Sequence, residues 1–235
     1  MHEISNISYI NFLKEIGISC FLQDEPNNFI KKNSIKNSPK SKSDISEIKN
    51  LDELEKYVKN FNIEGCSEKN IPGHGNINSN IMIIGNFPSI EEAKTGKPFG
   101  GPSGSLLNKM LKAININRED IYLTYIIPKF ILNNKTVSNN QLLQSLPIIQ
   151  KEIEIIKPKI IILLGSLAAK GILNSNLSTH ELRRKWHKYK SINSNDTIDC
   201  IVTFDPEFLI KNKNFKKDSW DDLKKLKTKI IYEKL

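Results

Sequence analysis

One segment limits the fold of this chain more than any other: KIIILLG, Lys159 to Gly165. Five successive aliphatic side chains cannot alternate between core and solvent. A strand built from them must be covered on both faces, as in a parallel sheet with helices above and below. The run passes directly into SLAAKGIL (166–173), a helix pattern. NIMIIG (80–85) has the same form, and IYLTYII (121–127) and TIDCIVTF (197–204) supply two further strands. Between them the spacing predicts helices over Ser103–Ala113, with Ser103 as N-cap, and over Ser138–Ile156, stopped before Pro158. A last helix is predicted from Asp218 through the lysine-rich tail. Strands alternating with helices predict an α/β fold, a three-layer α/β/α arrangement around a central, mostly parallel four-stranded sheet. Ligands of such sheets sit beyond the carboxyl ends of the strands.

The 235 residues suffice for one such domain plus peripheral segments. Residues 51–235 are expected to form it, opening with the amphipathic LDELEKYVKN (51–60). Residues 1–22 read as a helical segment, with apolar side chains at helical spacing and Gly17 as its stop. Residues 23–50, including KKNSIKNSPKSKSD, hold too few large apolar side chains to order themselves and read as a flexible linker. No apolar run approaches the ~20 residues that span a bilayer. The N-terminus lacks the basic and apolar blocks of a secretory leader, so a cytoplasmic monomer is expected. Cys20, Cys66 and Cys200 lie far apart without a C-x-x-C pair, against a disulfide framework or a self-contained zinc site. The formal charge of +9 favours polyanionic partners. Abundant Ile, Asn and Lys are also what an AT-biased genome yields, so charge alone does not single out nucleic acid.

Chemistry-bearing residues collect at three strand-to-loop junctions: Gly85-Asn86-Phe87-Pro88-Ser89, Thr124-Tyr125 and Phe204-Asp205-Pro206. The first leads to Glu91-Glu92 and then to Thr95-Gly96-Lys97-Pro98-Phe99-Gly100-Gly101-Pro102-Ser103-Gly104. A Gly/Pro/Ser-rich loop feeding a helix offers backbone N–H groups to an anion such as a phosphate.

Taken together, these motifs resemble family 4 of the uracil-DNA glycosylases. GNFPSIEEAKTGKPFGGPSGSLLNKMLKAININREDIYLT is similar to that family's G-E-A-P-G…E-D…G-x-P-F-V-G-x-S-G-x-L-L…Y-I-T-N pattern. KPKIIILLGSLAAKGIL, LRRKWHKY and VTFDPEFLIKNKNFKKDSWDDLKKLK follow in the family's order, and the likeness covers about residues 61 to 235. The resemblance implies a DNA repair protein that flips uracil from DNA and hydrolyses its N-glycosidic bond. It assigns Phe99 to stacking on the base, and Phe87, Glu92 and Tyr125 to the uracil pocket. Gly101, Ser103 and Gly104 fall in the phosphate-holding loop, Arg183 among further phosphate contacts, and Lys211 near the loop that wedges into the duplex.

Three positions depart from the pattern. The family's water-positioning Glu is Asn86, which cannot act as a general base but can hold water. Its uracil-reading Asn is Tyr125, which lacks the amide's paired donor and acceptor. Its leaving-group His is Asp205, which repels a developing anion unless burial keeps it protonated. Asn86 and Asp205 are the candidate catalytic residues, and an active hydrolase and an impaired, DNA-binding relative both remain open. The family's 4Fe–4S cluster needs four thiolates. Lys129 and Ser145 stand at two of those places, so no cluster and no bound metal are expected.

Overall fold

The aliphatic runs form the centre of a sheet. The computed structural model describes residues 45–132, 137–191 and 197–234. The expected helix within 1–22, Cys20 and the linker up to residue 44 lie outside the described residues. Strands β3 (Ile81–Gly85) and β6 (Ile160–Leu164) are buried at every position and run parallel, with Ile83 opposite Ile162. A fully buried Ile or Leu stabilises such a core by roughly 1.5–3 kcal/mol. Strand β4 (Tyr122–Tyr125) pairs in parallel with β3, and β8 (Thr197–Thr203) with β6. These are the four strands marked by the apolar pattern.

The sheet is nevertheless six-stranded. Antiparallel edge strands β2 (His74–Gly75) and β7 (Trp186–Lys190) extend it to the order β2-β4-β3-β6-β8-β7. The four-stranded expectation therefore describes only the parallel centre. A separate antiparallel pair joins β1 (Cys66–Asn70) to β5 (Lys129–Ile131).

Helices cover both faces. On one, α3 (Gly101–Ala113), α7 (Pro206–Lys211) and α8 (Lys216–Glu233) pack Leu107, Leu111, Leu209, Leu223 and Leu226 with Ile83, Leu123, Ile162 and Ile201. On the other, α4 (Asn139–Ile156) sends Glu152 to Tyr122 and Thr124, the β4 residues that alternate away from Leu123 and Tyr125. Helix α1 (Leu51–Asn60) packs there through Leu54 and Val58, in one cluster with Ile148 of α4. Ile48, from the stretch expected as linker, is buried in that cluster, behind a 3-10 turn at Ile45–Glu47. Ser138 caps α4 as expected. Helix α3, by contrast, starts two residues ahead of Ser103, because Gly100 takes the cap and Pro102 fits the first turn, where its missing N–H costs no bond.

Candidate functional site

The carboxyl ends of β3, β4 and β8 converge as the topology requires. Asn86 follows β3 directly and is held from two sides. The Ala168 N–H, in the first turn of α5 (Ser166–Leu173), donates to its Oδ1 at 3.1 Å, and its Nδ2 donates to Asp205 Oδ2 at 3.3 Å. Gly165 lets this happen. Its φ is +91°, and a Cβ there would stand 2.6 Å from Asn86 Nδ2.

Asp205 follows β8 and caps α7, with Oδ1 accepting the Glu207 N–H at 2.8 Å. Burial of the carboxyl pushes its pKa up to about 6; the Glu207 N–H opposes this, and the Glu207 and Glu92 carboxylates add to it. The group is thus half-protonated near pH 6 and mostly charged at pH 7.

The other half of the site is built around Glu92. Ser89 caps α2 (Ile90–Thr95), and its N–H donates to Glu92 Oε2 at 2.6 Å in a capping box. Glu92 Oε1 accepts the Gly100 N–H at 3.0 Å and the Tyr125 hydroxyl at 2.8 Å. The Tyr125 oxygen in turn accepts the Phe99 N–H at 2.8 Å. The Phe99 and Tyr125 rings stack with centroids 4.7 Å apart. Each residue is only 4% exposed, so no face of Phe99 stands open to a base in this conformation. Both rings crowd Gly85, where a Cβ would meet Phe99 Cζ at 2.7 Å.

Phe99 has φ +50°, a left-handed conformation that is costly for a non-glycine residue. Arg118 holds it there, donating to the carbonyls of Pro98 at 2.7 Å and Phe99 at 3.3 Å. The sequence reading missed Arg118, since an Arg before two acids in a surface turn gives no sign of pointing inward.

The remaining expected site residues divide. Phe87 is half-buried on the loop after Asn86, and Ser103 is half-buried in the first turn of α3. Gly101 is exposed with φ +61°, but Glu91 Oε2 lies 2.5 Å from where its Cβ would be, so a carboxylate already covers the expected phosphate loop. Gly104 requires correction as a phosphate donor. Its N–H bonds the Gly100 carbonyl, and its lack of a Cβ makes room for the Phe99 carbonyl, so its role is packing.

Arg183 requires correction too. Its side chain is buried, with Nε on Asp222 at 3.0 Å, Nη1 on Asp218 at 2.9 Å and Nη2 on the Asp218 carbonyl. An inward guanidinium bonded in this way offers nothing to a phosphate; its neighbour Arg184 is the exposed one. Lys211 is exposed and pairs with Glu207 at 2.7 Å.

Comparison with known proteins adds the family. The profile of the uracil DNA glycosylase superfamily matches residues 72–224. The chain is similar to the type-4 uracil-DNA glycosylase of Pyrobaculum aerophilum, at 34% identity over 54% of this chain and 61% of that protein. It is similar to the type-4 enzyme of Sulfurisphaera tokodaii at 31% identity over 70% of this chain and 76% of the relative. For that of Thermotoga maritima the figures are 30%, 69% and 84%.

These relatives correct the cofactor expectation. They belong to the branch that carries a 4Fe–4S cluster, so the expectation of a protein without one does not stand. The described residues by themselves do not fit the group: among them no three His, Cys, Asp or Glu side chains could hold a metal ion. Cys66 is buried, with its thiol pushed up by burial and partly offset by Lys129, and Gln141 Nε2 lies 4.0 Å from its sulfur. Among the described residues no helix is long and apolar enough to cross a membrane.

Proposed function

Because the chain belongs to the uracil DNA glycosylase superfamily, we propose that it is a DNA glycosylase that hydrolyses the N-glycosidic bond of a flipped-out uracil, or a related deaminated base, in DNA. In that reaction a water oxygen bonds to the sugar C1′ as the C1′–N bond breaks. The bond's electron pair leaves with the base, which takes up a proton, and the water loses one. The observation that carries the reading is the Asn86–Asp205 pair at the carboxyl ends of β3 and β8. Asn86, locked between Ala168 and Asp205, retains a second amide hydrogen to hold the water. Asp205, in the neutral form that burial favours up to about pH 6, supplies the O–H that stabilises the departing base, where the resembled family uses a histidine. The charged form would repel the same anion.

One observation favours a second reading. The Tyr125 ring covers Phe99, and a base can stack on Phe99 only after the two rings part. A protein in which they never part binds DNA without efficient excision. An abasic-site cleavage assay on single- and double-stranded uracil DNA separates the two. Turnover by the wild-type chain, lost in Phe99→Ala and raised in Tyr125→Asn, supports the hydrolase. DNA binding with no cleavage at high protein concentration overturns it.

A further inference from the structure

Helix α8 presents a face that the proposed chemistry does not use. Ser219, Asp222, Leu223 and Leu226 turn inward. The adjoining, outward-turned side carries Lys216, Lys217, Trp220, Lys224, Lys227 and Ile231, spaced so that they form one stripe at 100° per residue. Trp220 is 41% exposed. Among the described residues Lys216, Lys217 and Lys227 form no ion pair, and the Lys224–Asp221 bridge at 2.8 Å is exposed and weak. The one aspartate bordering the stripe is thus a single negative charge against four lysines.

The helix is also placed to continue the site. Thr203, at the carboxyl end of β8 and two residues before Asp205, bonds Ser219 at 3.1 Å and Asp222 at 3.0 Å. Lys229, near the other end of α8, pairs with Asp199 early in β8 at 2.7 Å. The helix therefore begins at the carboxyl end of β8, the end of the sheet that carries Asp205, and runs back along that strand. The 18 residues of α8 span about 27 Å, the rise of roughly eight base pairs of duplex.

We infer that this face of α8 is a docking surface for the phosphodiester backbone of duplex DNA flanking the processed base. The partner rests on the glycosylase reading, whereas the surface itself does not. Charge selects a polyanion, and continuity with the carboxyl ends of the strands selects the one that reaches the site. A basic helix face could also meet an anionic lipid surface, so vesicles enter the test.

The full chain and its Lys216→Gln/Lys217→Gln/Lys224→Gln variant are titrated by fluorescence anisotropy against thymine-only duplexes of roughly 10 and roughly 30 base pairs over a range of salt. The variant should lose about tenfold or more in affinity for the longer duplex. Its slope of log K against log salt should flatten by about 2–3, or ~0.9 for each lost phosphate contact. The corresponding triple Lys→Arg variant should retain both properties, which excludes misfolding as the cause. Unchanged affinity and slope for the long duplex overturn the inference. So does a variant that loses only its binding to phosphatidylserine vesicles. Excision of uracil from a short single strand should be the same in wild type and variant. If neither excises but the duplex effect is present, the docking surface stands and the glycosylase reading falls.

Discussion

On one face of β4 the Tyr122 hydroxyl donates to Glu152 at 2.7 Å, and on the other the Tyr125 hydroxyl donates to Glu92 at 2.8 Å. The two bonds are nearly alike, yet the two glutamates keep different company. Glu152 has two hydroxyl donors, Tyr122 and Thr124, inside the layer between sheet and α4. Burial dominates there and pushes its carboxyl up to about 7. Glu92 has one hydroxyl and two backbone N–H groups, from Ser89 and Gly100, and the same Tyr125 oxygen also accepts from Phe99. The first pair fastens one helix to the sheet. The second ties the Ser89 turn, the Phe99–Gly100 turn and β4 to a single carboxylate, and so fixes the strained turn that carries Phe99.

This contrast can be broken at several points. The largest effect belongs to Glu92→Ala, which strands two part-buried N–H groups and a buried hydroxyl; it should destabilise the fold by about 3 kcal/mol or more in urea unfolding. Glu152→Gln should act in the other direction, and only at high pH. The folded-state pKa of Glu152 is raised, so the native protein holds a proton that the unfolded chain releases, and stability falls as pH rises from about 4.5 to about 7. The variant escapes that loss. Its unfolding free energy should exceed that of wild type by about 1–2 kcal/mol at pH 8, with no gain near pH 5.

Of similar size, Tyr125→Phe should cost about 2 kcal/mol and Tyr122→Phe about 1, because only the Tyr125 oxygen is both donor and acceptor; equal losses would show that the two pairs are equivalent. The smallest effect concerns the carboxylate over the Gly101 turn. Glu91→Ala should tighten DNA binding about twofold at low salt, measured by anisotropy, by unmasking the helix terminus.

The parallel centre was legible because its strands are aliphatic at nearly every position. The edges were not: His74–Gly75 is two residues long, and WHKYK alternates like any half-exposed polar stretch. Asn86, Phe99, Tyr125 and Asp205 could be found from motif order, and the fold brings them together in two hydrogen-bonded groups. Their bonds could not be read, since Tyr125 meets Glu92 across 33 residues of chain and Asn86 meets Asp205 across 119. Arg183 misled for a local reason. In LRRKWHKY every cation looks solvated, and only the tertiary position of Asp218 and Asp222 on α8 draws one of them inside.

The central claim is that a protonated Asp205 serves where the resembled family has a histidine, and it is tested most directly by the pH dependence of uracil release. Single-turnover excision by the wild-type chain should be highest below pH 6 and should fall about tenfold per unit above it, as Asp205 loses its proton. In Asp205→Asn, which always presents an N–H donor, the rate should be flat across that range. A wild-type rate that rises through pH 6 would instead mean that the carboxylate acts on the water, and would contradict the account.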